Sequence, residues 1–160
     1  IRLIGNALAG HPCEPFTADT RIRVPAGNFR QPDFGIECGS PPDDSLFAEQ
    51  PRLVAEVLSK SNSEGDILDK LSEYQSVPGL DVVLFIDPDW PQVWVYRRNA
   101  SGDWPQPQKL RGLEAVIDLR QWNLVIPLAE LYRGLVFRPR PMLVEPPEPP
   151  DEAEPVRPSF

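Results

Sequence analysis

The sequence has no long hydrophobic run. None approaches the ~18 residues needed to span a bilayer, so a transmembrane helix is excluded. No basic-then-apolar leader with a small-residue cleavage site is present. Histidine is almost absent: His11 stands alone among 160 residues. A serine nucleophile such as Ser59 therefore has no histidine base in its own segment, and a turn-forming serine at a strand end is the better reading. There is no glycine-rich phosphate loop, no zinc-ligand spacing and no basic amphipathic helix. His11 and Cys13 lie close together, but a metal there would need further ligands, and a helix end followed by a loop is the simpler reading. Two cysteines, Cys13 and Cys38, make a poor disulfide framework. With no leader, the reducing cytoplasm is the expected compartment.

Positive charge is also scarce. The net charge is −8, which argues against a large basic nucleic-acid footprint. Half of the excess lies in residues 145–160, where five carboxylates face Arg157 alone. The body is mildly acidic, so any nucleic-acid surface must be local. The stretch "VEPPEPPDEAEPVRPSF" is proline-rich and acidic, and residues 142–160 are expected to form a disordered tail. Residues 1–141 are expected to form one globular domain. The opening "IRLIGNALAGHPC" reads as the middle of a helix, as though the chain began partway into its first element.

What is present is a series of short apolar runs with clear punctuation. Residues 1–9 read as a helix ended by Gly10 and Pro12. "TRIRV" (20–24) alternates as a half-buried strand does. "DFGIEC" (33–38) and "RLVAEVLS" (52–59) read as the next strands, joined by a long polar loop. A helix follows over "SKSNSEGDILDKLSEYQSV", with Ile67, Leu68, Leu71 and Tyr74 at helical spacing. Ser61 with Glu64, or Ser63 with Asp66, supplies its capping box. "DVVLFID" (81–87) and "QVWVYRR" (92–98) are strands around the turn "PDWP". Beyond them lie short strands such as "LEAVIDL" and a helical turn near "PLAELYRG". Strand, strand, helix, strand, strand is a mixed α/β pattern.

Glu56 is the anomaly. It interrupts "LVAEVLS", a run that reads as a central strand apolar on both faces. A lone carboxylate there must be paired, protonated or metal-bound, or lie at the open end of the sheet. Asp33 opens the preceding strand, and pairing of the two strands would bring the carboxylates together. Lys70 falls ~40° from both Asp66 and Tyr74 around the helix, at the border of its buried face. Two hard-oxygen ligands suffice for Mg²⁺, which keeps several waters. Such an ion polarises a phosphoryl oxygen and acidifies bound water, and a nearby ammonium orients that water or stabilises growing charge.

This ordered set resembles the PD-(D/E)XK nuclease superfamily, and more closely the Uma2 family of restriction-endonuclease-like proteins. The resemblance rests on "RQPDFGI" (30–36), "RLVAEVLSKSNSEGDILDKLSEYQSVPGLDVVLFIDPD" (52–89) and "VWVYRR" (93–98), and spans roughly residues 1–138. It implies a restriction-endonuclease-like mixed β-sheet flanked by helices. It also implies a Mg²⁺- or Mn²⁺-dependent DNA endonuclease, a hydrolase that in many relatives works as a dimer. Asp33 and Glu56 become metal ligands and Lys70 the third catalytic residue, with Asp66 and Tyr74 supporting them. Ser59 and Asp87-Pro88 match further motif positions. The superfamily's usual lysine position, two residues after the acid, is Leu58 here, so Lys70 is the migrated lysine. The family has an N-terminal helix and hairpin ahead of the matching region, and part of that is expected to be missing here, along with any acidic ligand it supplies.

Each residue also has a plainer reading. Asp33 caps a turn. Glu56 pairs with Arg52, Arg30 or Lys60. Lys70 forms an exposed i, i+4 pair with Asp66. Tyr74 packs in the core, Glu37 is a solvated carboxylate on Asp33's strand face, and the four tryptophans are core and rim packing. A catalytically inactive module for nucleic-acid or protein interaction is the alternative to the nuclease, and a hydrolase of small phosphate esters is a further one.

Overall fold

A computed structural model of the chain describes residues 2–39, 42 and 45–137. The expected tail at 142–160 lies outside the described residues. A six-stranded sheet forms the centre, in the order β1-β4-β5-β6-β7-β8. Its strands are β1 (Cys13–Thr17), β4 (Phe34–Cys38), β5 (Pro51–Val57), β6 (Val82–Ile86), β7 (Gln92–Arg97) and β8 (Gln108–Arg111). β5 and β6 run parallel, and the other neighbouring pairs are antiparallel. A parallel pair needs a crossover, and α2 (Glu64–Ser76) supplies it. The expected mixed α/β sheet flanked by helices is therefore present.

β5 and β6 are the most apolar strands because both of their faces are covered. On one face, Leu53, Ala55, Val82, Leu84 and Ile86 pack beneath α1 (Arg2–Ala7), the hairpin β9 (Val116–Leu119)–β10 (Leu124–Pro127) and α3 (Leu128–Leu131). On the other face, Val54, Val83 and Phe85 pack against Leu71, Tyr74 and Val77 of α2. A short ribbon, β2 (Ile22–Arg23) with β3 (Phe29–Arg30), adds Ile22 to that second core.

α2 begins with the Ser63–Asp66 capping box: the Ser63 hydroxyl accepts from the Asp66 N–H, and the Asp66 carboxylate accepts from the Ser63 N–H. The Ser61–Glu64 frame loses because Ser61 bonds Ser59 within the preceding turn.

Two readings need correction. Residues following Pro12 are not a loop: they form β1, an edge strand in five-residue register with β4. That register sets Cys13 opposite Cys38, and the two are joined by a disulfide, contrary to the reading of the cysteines as a poor framework. The pairing follows only from the β1–β4 register, which the short run "CEPFT" does not announce. Among the described residues no helix is long and apolar enough to cross a membrane.

Gly35 opens a path for an aromatic ring. A Cβ at this position would meet Phe16 Cζ at 2.2 Å and the Leu53 carbonyl at 2.4 Å. The missing side chain lets the Phe16 ring of β1 lie over β4 immediately beside the strand entry at Asp33.

Candidate active site

β5 carries Glu56 on the face covered by α2, in line with Val54 two residues earlier. The residue is 5 % exposed. Both carboxylate oxygens have donors from α2. Lys70 Nζ donates to Oε2 at 2.7 Å, and the Tyr74 hydroxyl donates to Oε1 at 2.6 Å. Lys70 and Tyr74 are four apart, so they occupy neighbouring turns of one helical face, and that face lies on the strand.

Asp33 precedes β4, where Phe34 pairs with Ala55. Its backbone N–H donates to the Ala55 carbonyl at 3.1 Å. Its carboxylate Oδ2 accepts from the Val57 N–H at 2.6 Å. Asp33 therefore holds the β5 backbone on either side of Glu56, and its carboxylate faces solvent. Asp33, at the entry to β4, and Glu56, in β5, thus lie on neighbouring strands.

Tyr74 is fully buried. Burial pushes its hydroxyl pKa far up, and the negative charges of Glu56 and Asp33 push it further. The phenol stays protonated and serves as a fixed donor. Next to it on α2, Glu73 pairs with Arg30 and accepts from Asn28 Nδ2 at 3.0 Å. The Arg30 guanidinium is held charged above all by its hydrogen bond to Glu73, with smaller help from Tyr74 and Glu56. The β2–β3 ribbon is thereby fastened to the helix that positions Lys70.

The plainer partners proposed for Glu56 are engaged elsewhere. Arg52 pairs with Asp81, Lys60 with Asp89 and Arg30 with Glu73. Lys70 does not form the exposed pair with Asp66, because it turns inward to Glu56. Asp66 itself bonds Ser63 at the helix start, and reaches Lys70 only through its field. Glu37 is not a solvated carboxylate: it is 5 % exposed and accepts from the Glu49 N–H at 3.1 Å. Burial raises its pKa, and Glu14, its cross-strand partner, raises it further. Strand alternation alone could not reveal this, because the covering segment 45–49 has no periodic pattern. Asp87 caps its own turn, accepting from the Asp89 and Trp90 N–H groups, and Ser59 bonds within the 59–62 turn. Trp122 is buried in the core beneath α1 and α3, and Trp94 and Trp104 pack partly buried against the separate core on the α2 face.

The donor set suits a hard divalent cation. Each carboxylate oxygen has about two lone pairs, so Glu56 retains acceptor capacity beside its two donors, and Asp33 Oδ1 remains open to solvent. Mg²⁺ accepts two carboxylates with waters completing its shell. Among the described residues no group of three or more His, Cys, Asp or Glu side chains converges as a metal cage.

A mixed six-stranded sheet flanked by helices, with α2 laying Lys70 against Glu56 of β5, places the protein in the α/β class. Residues 1–128 match the model of the Uma2 family, described as "Putative restriction endonuclease", and the chain belongs to that family. A solved structure from Anabaena variabilis, titled as a putative nuclease belonging to DUF820, shares the fold. Its TM-score is 0.66 at 17% identity, covering 82% of this chain and 75% of that one. A structure of a DrdV–DNA complex aligns with a TM-score of 0.41 at 21% identity, over 68% of this chain and 9% of that one. No curated protein matches the sequence.

Proposed function

We propose that this protein is a Mg²⁺- or Mn²⁺-dependent DNA endonuclease that hydrolyses phosphodiester bonds. One observation carries the reading. A buried carboxylate, Glu56, stands inside an otherwise apolar strand, held by Lys70 and Tyr74, directly beside solvent-facing Asp33. Burying a pair of charges costs more than it returns in stability unless the geometry is excellent, so a working role accounts for the arrangement better than a structural one.

Asp33 and Glu56 would hold the cation. When bound, it would polarise a phosphoryl oxygen and lower the pKa of a coordinated water. Lys70 is the residue to orient the attacking water or to stabilise charge on the phosphate. Tyr74 fixes one Glu56 oxygen, and Asp66 holds the first turn of the helix that carries both. One chain offers one such site, so a double-strand break requires two copies, and the reading includes a homodimer on duplex DNA.

A specific observation also favours the second reading, an inactive interaction module. Both Glu56 oxygens already have protein donors, so the cluster is satisfied without metal. The test is incubation of the protein with supercoiled plasmid and Mn²⁺, then with chelator. Nicking that needs Mn²⁺ and stops on chelation supports the nuclease. Inertness towards duplex, single-stranded and branched DNA would put the interaction module ahead.

A further inference from the structure

The mildly acidic body requires any nucleic-acid surface to be local, and most cations of the described residues are engaged within the protein. Arg30, Arg52, Lys60, Lys70, Arg120 and Arg133 pair with carboxylates. Arg97 and Arg98 donate to backbone carbonyls, and Arg111 donates to Gln92. Besides Arg2 on α1 and Lys109 on β8 there remain Arg21 and Arg23, which lie together at β2. Among the described residues neither has an ion pair or a side-chain hydrogen bond. Each instead lies over a ring. Arg21 is 4.7 Å from the Phe29 centroid, and Arg23 is 3.7 Å from that of Phe47. The two rings meet edge to face at 6.3 Å.

Strand alternation explains the grouping. Ile22 points inward and is fully buried, so Arg21 and Arg23 share the outer face. Arg23 pairs with Phe29 across the ribbon, which is 51% exposed. The result is a surface of two guanidinium groups over aromatic rings, with no other side-chain partner among the described residues. Stacking of this kind pre-organises arginine for phosphate. Phosphate oxygens are the dominant protein contact on nucleic acids. The ribbon's position suits the purpose: β3 ends at Arg30, and three residues later comes Asp33, at most ~11 Å along the chain.

We infer that the outer face of the β2–β3 ribbon is a phosphate clamp for the DNA backbone, with Arg21 and Arg23 as the contacting residues. The inference rests on the nuclease reading for its ligand and extends it to a second surface. The clamp holds the duplex against the site while Arg30, bound to Glu73, keeps the ribbon aligned with α2.

The test is binding of a fluorescein-labelled 20-base-pair duplex by anisotropy across a salt series, with chelator present so that nothing is cut. The proteins are the wild type, Arg21→Gln/Arg23→Gln and Arg21→Lys/Arg23→Lys, each checked for folding by circular dichroism. Removal of two phosphate contacts should flatten the log K against log salt slope by about 1.8, with a roughly tenfold or greater loss of affinity. The lysine pair should keep the slope and lose part of the affinity. Wild-type affinity and slope in the glutamine pair would overturn the clamp, while Mn²⁺-dependent cutting by the same variant would leave the nuclease reading standing. Absence of DNA binding by the wild type would overturn the clamp together with the nuclease.

Discussion

Glu56 is where the residue scale decides the matter. Its two donors divide the labour: Lys70 balances its charge, and Tyr74 fixes its orientation. Glu56→Gln keeps an acceptor for Tyr74 and removes the charge that a metal and Lys70 require. On the nuclease reading, cleavage should fall by at least ~10²-fold, the usual scale for one lost electrostatic contributor, with the fold retained by circular dichroism. Tyr74→Phe removes the donor to a buried oxygen and should cost about 1–3 kcal/mol in urea unfolding. Glu37 gives a second test at this scale. Its pKa lies above the usual 4.5 because of burial and the facing Glu14. A group raised on folding favours the folded state below its unfolded pKa, and that advantage disappears as pH rises through the folded value. Ionised Glu37 is therefore a burden at neutral pH. Glu37→Gln should melt above wild type at pH 7, with the gap closing as pH falls below 4.5. An equal gap at both pH values would contradict this.

At the scale of elements, α2 does most to build the site. Ser63→Ala removes the capping hydroxyl and should cost about 1 kcal/mol, measured by thermal unfolding. The same fraying should loosen Lys70, seven residues on, and lower cleavage more than stability alone explains. The β1–β4 pair offers a different test. Its disulfide closes a sequence separation of 25 residues, for which bond removal costs about 2–4 kcal/mol. Reductant should lower the melting temperature by several degrees and leave the sheet's circular dichroism unchanged, because the five-residue register remains. Loss of the β signal on reduction would show that the bond, and not the strand pairing, holds β1. The helix and the two central strands were legible in the sequence because a 3.6-residue period and a doubly apolar run are strong signals. β1 was not: "CEPFT" is short, contains a proline, and has one face on the edge of the sheet. The β2–β3 ribbon was half legible, since "TRIRV" alternates while its partner "FR" is too short to show any period.

At the scale of the molecule, the sheet has two covered faces and the candidate site belongs to one of them. The α2 face gathers Asp33, Glu56, Lys70 and Tyr74, while the other face holds only core beneath α1, α3 and the β9–β10 hairpin. The carboxylate pair and the lysine were legible because a charge within an apolar strand is rare and because the motif order matched a family. The Arg30–Glu73 tie and the ring-stacked arginines were not legible, because they arise from contacts between residues 43, 24 and 8 apart in the chain. On the proposed reading an acidic chain that handles DNA needs local positive charge, and Arg21 and Arg23 on the outer ribbon face would supply it.

On the nuclease reading, Glu56 is buried in β5 in order to share a cation with Asp33. The most direct measurement is anomalous diffraction from crystals soaked in Mn²⁺, comparing wild type with Glu56→Gln. The account predicts a Mn²⁺ peak touching both Asp33 and Glu56 in the wild type and no peak there in the variant. A wild-type map with no Mn²⁺ at Asp33 and Glu56, and with Lys70 and Tyr74 still closed on the carboxylate, would contradict it and make Glu56 part of a structural cluster.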